Sequence, residues 1–329
     1  MSRFARGRGL ALRFVAGLAG LALFVGASAC GTSNPTGDSG GGVGTETGWP
    51  RTITHDKGST EIKAKPQRIV ALDNSLVEAV VLLGRPLVGG ISSYRNLKTF
   101  PDYLGDAVKD TKELGPLDNP NLELIASLRP DLIVSATVRH DALYDKLSAI
   151  APTIFVKTTG PIWKDNIILL GKALGEETRA AQELARYEAR ARQIGDDINA
   201  KAGNPTISVV RFVDGPTRLM ARASFIGIIL ADAGLRRPPS QDKDEFATEI
   251  SEEQIELADA DHIFVTTYSG GEEHKRRFEA NPLWKRLSAV QAGNLHEVKD
   301  ELWMTSVSVQ GAHFVLDDLA STFQVDPAK

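Results

Sequence analysis

Apolar and polar positions along this chain follow two alternating patterns, one typical of buried strands and one typical of helices. The run Arg68–Leu72 is almost wholly apolar and predicts a buried strand. The next stretch, Ser75–Leu83, has apolar residues at helical spacing; Asp73 or Asn74 can cap it, and Gly84 can end it. Because strand and helix signals keep alternating as far as residue 156, we expect a mostly parallel sheet.

Two successive helices without an intervening strand are predicted in the middle of the chain. Trp163–Leu174 stops at Gly175, and a long helix then runs over Glu177–Ala202. At about 1.5 Å per residue the second helix is roughly 39 Å long, enough to span the side of a pair of domains. A rigid helical crossover of this kind disfavours the wide hinge closure that several flexible connecting strands would allow.

The second half of the chain contains an echo of the first. The stretch that contains Glu123 has the sequence NLELIASLRPDLIV, and the stretch around Glu253, 130 positions later, has the sequence SEEQIELADADHIFV. Each predicts a capped short helix followed by an acidic residue and a buried strand. A repeat on this scale indicates two similar α/β lobes, and two lobes imply a cleft.

The amino terminus has the features of a secretory signal. Four arginines precede the apolar run Phe14–Val25, and the small residues at 27–29 stand before Cys30, the one cysteine of the chain. This arrangement resembles a lipobox, in which the cysteine receives a diacylglycerol and becomes residue one after cleavage. A lone structural cysteine is the alternative. Residues 31–48 are dominated by Gly, Ser and Thr, a composition typical of a flexible tether.

Composition and charge exclude several classes of protein. The chain has 329 residues, 42% of them hydrophobic and 24% charged, which is typical of globular domains and not of disordered or fibrous chains. Removal of residues 1–29 would leave 34 basic and 42 acidic groups. A net acidic surface argues against general nucleic-acid binding, so an anionic ligand would need a local basic patch.

Seven segments between residues 65 and 298 match one family in their order and spacing: KPQRIVAL, LGRPLVGG, NPNLELIASLRPDLIVSA, LSAIAPTIFV, SFIGIILADAGL, EISEEQIELADADHIFV and NPLWKRLSAVQAGNLHEV. Through them the chain resembles the helix-linked (class III) extracytoplasmic substrate-binding proteins of ABC importers. The stretches TRLMARASFIGIILADAGL and WMTSVSVQGAHFVLDDLA make it most similar to the lipoprotein receptors for ferric siderophores.

The resemblance implies an α/β fold of two βα-sheet lobes joined by one long backbone helix. Its expected parts are a signal peptide at 1–29, the lipidated cysteine and linker at 30–48, an N-terminal lobe at 49–162, linking helices at 163–202 and a C-terminal lobe at 203–329. A monomer anchored by lipid on the outer side of the cell membrane is expected. It would bind an iron(III)–siderophore complex as its ligand, with no resident cofactor or protein-bound metal.

The resemblance also places permease docking on Glu123 and Glu253, because relatives present one acidic residue on each lobe to the permease dimer of the importer. Two carboxylates on matching helices can pair with arginines of two matching subunits, and such charge pairs set the register and speed the encounter. The alternative is a structural role, in which each carboxylate stabilises the start of its own helix.

Ligand contacts are expected from loops at the carboxyl ends of strands, facing the cleft. Arginines beside aromatic rings suit a ferric siderophore, whose iron is already chelated and whose periphery offers acidic oxygens and flat faces. Any of them could instead be a packing or surface residue. The candidates are Tyr94, Arg95, Arg139 and His140 in the first lobe, and Arg211, Arg222, Phe225, Phe246, Tyr268 and Trp303 in the second.

Other functions are weighed against this hypothesis. The predicted lobes contain no GxSxG turn of the kind that serine hydrolases use, so we do not expect an enzyme. The six histidines stand apart in the sequence, which disfavours a receptor for a bare metal ion. A haem or cobalamin receptor of the same fold is the nearest alternative, with Tyr94, Tyr268 or His140 as an axial haem ligand. The second alternative is a cell-envelope adaptor that binds no small molecule.

Overall fold

The structure is a computed structural model that describes residues 48–92 and 99–329. Its strands are β1 (Arg51–His55), β2 (Gly58–Ile62), β3 (Ile69–Ala71), β4 (Leu87–Gly90), β5 (Lys112–Glu113), β6 (Leu132–Ala136), β7 (Thr153–Val156), β8 (Ile207–Phe212), β9 (Thr217–Met220), β10 (Ala247–Ile250), β11 (His262–Thr267) and β12 (Leu295–Glu297).

The α-helices are α1 (Asn74–Leu82), α2 (Leu122–Ser127), α3 (Thr137–His140), α4 (Tyr144–Ser148), α5 (Trp163–Leu174), α6 (Glu177–Ala202), α7 (Phe225–Asp232), α8 (Glu272–Ala280), α9 (Ser288–Ala292) and α10 (Val309–Phe323). Short 3-10 segments cover Asp102–Val108, Asp141–Leu143, Glu252–Ala258 and Trp284–Arg286, and a π turn covers Glu301–Thr305. No helix among the described residues is long and apolar enough to cross a membrane.

The first lobe is built on a five-stranded sheet in the order β5-β4-β3-β6-β7, with every pair parallel. The three residues of β3 and the five of β6 are all buried, as expected for strands that helices cover on both faces. Since parallel strands all end at the same edge, the loops that follow β3, β6 and β7 gather there. This sheet confirms the parallel arrangement that the βα alternation predicts.

The second lobe has a mixed sheet in the order β10-β9-β8-β11-β12. Strands β8, β11 and β12 are parallel, whereas β9 pairs antiparallel with both β8 and β10. Strands β8 and β9 form a hairpin, with residues 213–216 between them. Strand β10 is an element that the apolar pattern does not indicate, because its sequence, ATEI, carries little apolar character.

The β1–β2 hairpin was also not predicted, and it packs against the first lobe. The amide of Asp56 at its turn donates to the carbonyl of Phe155 at 3.0 Å, and the Thr60 hydroxyl donates to the carbonyl of Thr153 at 2.8 Å. The hairpin therefore covers the outer strand β7, which would otherwise be an unprotected edge of the sheet.

The two echoed segments fold differently despite their similar sequences. Around Glu123 the chain forms helix α2, whose first turn is capped by the Asn121 side chain. Around Glu253 it forms the 3-10 segment Glu252–Ala258, in which Gln254 leaves helical geometry at φ −107° and ψ 17°. The prediction of a short helix therefore holds for the first segment, while the second takes the tighter 3-10 form.

Helices α5 and α6 have the bounds that the sequence predicts, and they share one hydrophobic core with both lobes. That core contains Leu76 of α1 in the first lobe, Tyr187 of α6, and Phe225 of α7 in the second lobe. Helix α6 lies so close to the end of α7 that a Cβ on Gly195 would come 1.7 Å from the carbonyl oxygen of Ala233. Because apolar packing continues through the connection, the two lobes are braced against each other.

Candidate functional site

A cavity of about 280 Å³ opens between the two sheets, at the carboxyl ends of their parallel strands. The first lobe contributes the β3–α1 junction, helix α3 and the loop after β7, whereas the second contributes the end of β8 and segments next to β10 and α10. Its lining residues are Asp73, Asn74, Ser75, Val138, Arg139, Thr158, Thr159, Gly160, Pro161, Arg211, Phe246, Met304, Thr305 and Val307. Three of the sequence-predicted candidates, Arg139, Arg211 and Phe246, are therefore brought together.

Arg139 reaches the cavity from helix α3, directly after β6. Its Nε donates to Oδ2 of Asp73 at 2.9 Å, and one terminal nitrogen lies 3.5 Å from the Thr159 hydroxyl. The other oxygen of Asp73, Oδ1, accepts from the amide and the hydroxyl of Ser75, so that Asp73 is the N-cap of helix α1. The guanidinium is thus attached to a carboxylate that the fold itself immobilises.

Arg211 reaches the cavity from β8 in the second lobe. Its Nε and one terminal nitrogen donate to the two oxygens of Asp300, each at 2.7 Å, and both side chains are buried. The guanidinium carbon lies 5.1 Å from the centre of the Tyr268 ring, a cation–π distance. The predicted candidate Tyr268 therefore supports Arg211 at the edge of the site.

The mouth of the cavity carries exposed apolar side chains from both lobes. Phe246 in the second lobe is 48% exposed, and Val138 on α3 of the first lobe is 56% exposed. Large apolar groups left open to water beside a pocket are typical of ligand contact surfaces. The cavity therefore combines cationic groups inside with apolar faces at its entrance.

Beside the cavity, the two lobes are joined by a polar seam between α1 and the start of α10. The Asn74 amide donates to the carbonyl of Thr305 at 2.7 Å, and the Gln310 amide donates to the carbonyl of Glu78 at 2.9 Å. The carboxylate of Glu78 accepts from the hydroxyls of Ser306, Ser308 and Tyr103. These bonds fix the spacing of the lobes at one end of the cleft.

Burial raises the pKa of the Glu78 carboxyl to about 7. The hydroxyl donors oppose this shift because they favour the ionised form, but burial dominates and the Asp73 carboxylate adds to it. The group therefore changes charge close to neutral pH.

Three predicted ligand contacts lie in the interior instead. Both ring nitrogens of His140 are engaged, Nδ1 with the Ser135 hydroxyl at 2.8 Å and Nε2 with the Leu117 carbonyl at 2.6 Å. Burial lowers the pKa of His140, so its ring is neutral at pH 7. This bonding leaves neither nitrogen available as an axial haem ligand.

Phe225 and Trp303 are buried too. Phe225 packs edge-on against Trp163 at 5.6 Å between ring centres, and Trp303 stacks on Phe264 at 4.9 Å. The Trp303 indole N–H donates to Asp318 at 2.7 Å. Both rings therefore pack in the interior, and the expectation that they contact the ligand is corrected. An apolar ring at such a position can face either the cleft or the core, and the sequence pattern does not distinguish the two.

Arg222 lies on the surface rather than in the cavity lining. Its side chain is half exposed, and its guanidinium is 3.5 Å from Asp242. The predictions for Tyr94 and Arg95, like that for Cys30, lie outside the described residues.

Glu123 and Glu253 are both exposed, Glu123 in the first turn of α2 and Glu253 in the 3-10 segment. Within the described ranges, neither carboxylate takes part in an ion pair, whereas the neighbouring Glu252 pairs with Arg277 at 3.1 Å. Each lobe thus presents a carboxylate to solvent at a corresponding place in the sequence.

The part of the chain that the structure describes holds no group of three or more His, Cys, Asp or Glu side chains placed to bind a metal ion. Two histidines that stand apart in the sequence do meet: Nδ1 of His262 lies 3.0 Å from Nε2 of His296 on neighbouring strands. This pair lies outside the cavity lining.

Sequence reasoning missed Asp73, Asn74 and Ser75, which it considered only as the start of a helix, and the loop residues 158–161. A signal for both groups was present, since each directly follows a predicted parallel strand. Applying the rule of carboxyl strand ends to every strand would have included them.

Known proteins of similar sequence and structure place the chain in a family. Residues 69–302 match the family described as "Periplasmic binding protein". A relative in Bacillus subtilis, described as a probable siderophore-binding lipoprotein, is 37% identical over 286 residues, which is 83% of this chain and 87% of the relative. A second relative in Bacillus subtilis, an Fe(3+)-citrate-binding protein, is 28% identical over 77% of this chain and 79% of its own length.

Among solved structures, the fold is similar to that of SirA from Staphylococcus aureus, crystallised with staphyloferrin B. The TM-score is 0.78 at 32% sequence identity, over 84% of this chain and 99% of that one. From the family match and these relatives we conclude that the chain belongs to the periplasmic binding protein family.

Proposed function

We propose that this protein captures a ferric siderophore in the cleft between its lobes and delivers it to an ABC importer. One observation carries the proposal: each lobe contributes one guanidinium, Arg139 or Arg211, to the lining of the same cavity, and Phe246 lies at its mouth. Guanidinium groups suit the acidic oxygens of a chelate, and the ring suits its flat faces. Relatives that bind ferric chelates support the assignment.

The ligand contacts that we propose are Arg139, Arg211 and Phe246, with Tyr268 acting from beneath Arg211. We leave His140, Phe225 and Trp303 out of this set because they are buried and do not line the cavity. Tyr94 and Arg95 stay in it as predictions from sequence.

A binding panel tests the proposal. The full chain in detergent is mixed with radioactive iron as ferric staphyloferrin B, ferric citrate, a ferric trishydroxamate and a ferric triscatecholate, and protein-bound iron is counted after ultrafiltration. We expect saturable binding of at least one chelate and none of its iron-free form. Haem and cobalamin are included, and binding of either one alone would overturn the siderophore assignment.

We propose that Glu123 and Glu253 dock the loaded protein on the two permease subunits. Their exposure and their corresponding positions in the two lobes support this role. The double variant Glu123→Ala/Glu253→Ala should keep its ligand affinity within about twofold, because neither residue lines the cavity, and should lose uptake.

The matched control replaces two other exposed acidic residues, one from each lobe, as Asp145→Ala/Glu256→Ala. It makes the same change in net charge and should leave uptake intact. Normal uptake by the first double variant would refute the docking roles.

We propose that Cys30 carries the lipid that holds the protein on the outer side of the membrane. The lipoprotein description of the relative in Bacillus subtilis supports this. Two acyl chains hold a protein on a bilayer stably, where one chain gives only marginal binding. Intact-mass measurement of membrane-extracted protein should give a chain that starts at Cys30 with added lipid; an uncleaved chain would contradict it.

A further inference from the structure

Each guanidinium of the cleft is held by an aspartate of its own lobe. The Arg211 side chain is 10% exposed and that of its partner Asp300 is 7% exposed; the Asp73 side chain, which holds Arg139, is 1% exposed. All four groups are next to the ligand cavity, but the two aspartates carry the charge opposite to that expected of a site for anions.

Geometry limits what Arg211 can offer a ligand. Two of its three nitrogens are used by Asp300, at 2.7 Å each, so the plane of the guanidinium is fixed. Asp300 itself directly precedes the π turn Glu301–Thr305, which contributes Met304 and Thr305 to the cavity. One aspartate thus orients the arginine and is anchored in a lining segment.

Asp73 is fixed even more firmly, because its Oδ1 caps helix α1 while its Oδ2 holds Arg139. Neither aspartate can move away without breaking backbone or charged hydrogen bonds. An incoming ligand must therefore bind a guanidinium whose carboxylate partner stays in place.

Charge compensation follows from the same contacts. Among the described lining residues, the ionisable ones are Asp73, Arg139 and Arg211, and with Asp300 the two cations are matched by two anions. In a partly buried site, the aspartates offset much of the attraction that the arginines exert on added negative charge. A chelate with a large negative charge therefore gains less from these two arginines than their own charges would give.

We propose that Asp73 and Asp300 are positioning residues that orient the two cleft guanidiniums and compensate their charge, so that the site prefers ferric chelates of small net charge over highly anionic ones. This inference rests on the proposed function. Suitable probes are a ferric trishydroxamate and a ferric triscatecholate. Three singly charged hydroxamates cancel the charge of iron(III), whereas three doubly charged catecholates exceed it.

The experiment compares the Kd values of these two probes in the full chain and in Asp300→Asn. We expect the wild-type protein to bind the trishydroxamate more tightly. In Asp300→Asn, whose Arg211 is no longer compensated, the ratio of the two Kd values should shift toward the triscatecholate by about tenfold. A purely structural role would weaken both probes equally and leave the ratio unchanged.

Three controls complete the design. Asp300→Glu keeps the charge and should keep the wild-type ratio even if both affinities fall. Asp196→Asn removes one exposed carboxylate from helix α6, which contributes no residue to the cavity lining, and should change nothing. Asp73→Asn tests the other lobe and replaces Asp300→Asn if that variant does not fold.

The outcomes separate the inference from the function on which it rests. If the wild-type protein binds no ferric chelate of the panel, the proposed function fails. If it binds chelates but prefers the triscatecholate, or if the aspartate variants leave the ratio unchanged, the charge preference is refuted while the proposed function stands.

Discussion

The two lobes each present one arginine to the cleft, but they hold it in different ways. Arg211 lies on a strand within a five-stranded sheet and forms two hydrogen bonds with Asp300, whereas Arg139 lies on a four-residue helix and joins Asp73 through Nε. The Arg139 side chain is also the more exposed, at 19% against 10%. We therefore expect Arg211 to be the more rigid of the two contacts, and Arg139 to adjust more readily to the ligand.

The sheets explain this difference. In the second lobe, β8 is flanked by β9 and β11, and Arg211 stands opposite Thr266 in the parallel register and Arg218 in the antiparallel one. In the first lobe, Arg139 comes after β6 has ended, on a helix that donates one backbone bond, from Val138, to the carbonyl of Lys157. A residue inside a sheet has less freedom than one on a short helix after it.

The largest effect is expected from Arg211→Gln. Loss of the cation leaves Asp300 buried without its partner, so the free energy of unfolding should fall by about 3–5 kcal/mol. Ligand affinity should fall roughly a hundredfold, because a desolvated charged contact is lost. Denaturant unfolding and the iron-binding assay measure the two quantities.

The double variant Arg211→Gln/Asp300→Asn separates these two consequences. It should recover most of the lost stability and none of the affinity, since the buried charge has gone but the ligand contact has not returned. Recovered affinity would mean that Arg211 serves packing alone.

The next largest effect is on the pH dependence of stability, and it comes from Glu78, which lies where the two lobes meet. Its pKa is raised from 4.5 to about 7, so the folded state keeps a proton that the unfolded chain has lost. Stability contributed by the neutral form is complete below about pH 4.5 and is lost as pH rises to about 7, by roughly 3 kcal/mol. Glu78→Gln should lack this loss.

Denaturant unfolding of the wild-type protein and Glu78→Gln at pH 5 and pH 8 checks this prediction. Subtracting the pH effect in the variant from that in the wild type removes the contribution of all other groups. Equal pH dependence in the two proteins would show that the seam does not hold a neutral carboxyl.

Arg139→Gln should have a smaller effect than Arg211→Gln on both quantities. Asp73 would keep its hydrogen bonds from the amide and hydroxyl of Ser75, so unfolding free energy should fall by about 1–2 kcal/mol. Affinity should fall about tenfold. The same two assays apply, and an effect equal to that of Arg211→Gln would remove the contrast between a rigid and an adjustable arginine.

The smallest effect is expected at the mouth of the cleft. Phe246→Ala should weaken ligand binding only a few fold and change stability by less than about 0.5 kcal/mol, because the ring is half exposed. Leu257→Ala is the control, since Leu257 is similarly exposed at 43% but does not line the cavity. If the two variants bind the ligand with equal affinity, Phe246 is not a ligand contact.

Much of the fold could be predicted from local patterns. The ends of α5 and α6 follow from the glycines that terminate them, Gly175 and Gly203, and from their apolar spacing, and the βα alternation predicts the parallel sheet of the first lobe. Strand β10 could not be predicted because its sequence, ATEI, lacks the apolar run of a buried strand. Its place in the sheet is set by pairing with β9. The echoed segments likewise share a pattern but differ in helix type.

The candidate site could be predicted only in part. The rule of strand ends leads to Arg139 and Arg211, but the same reasoning placed Trp303, Phe225 and His140 in the cleft. Whether such a side chain faces cleft or core depends on the rotation of its segment against distant ones. A single sequence contains no direct record of that rotation.

The sequence by itself determined the βα alternation of the first lobe, the linking helices and the family resemblance, because these depend on residues close together in the chain. Tertiary structure alone decided which charges meet: Asp300 and Arg211 are 89 positions apart, and Glu78 and Ser308 are 230. The reason is physical, since an ion pair or a buried hydrogen bond depends on distances of a few ångströms between segments that only packing brings together.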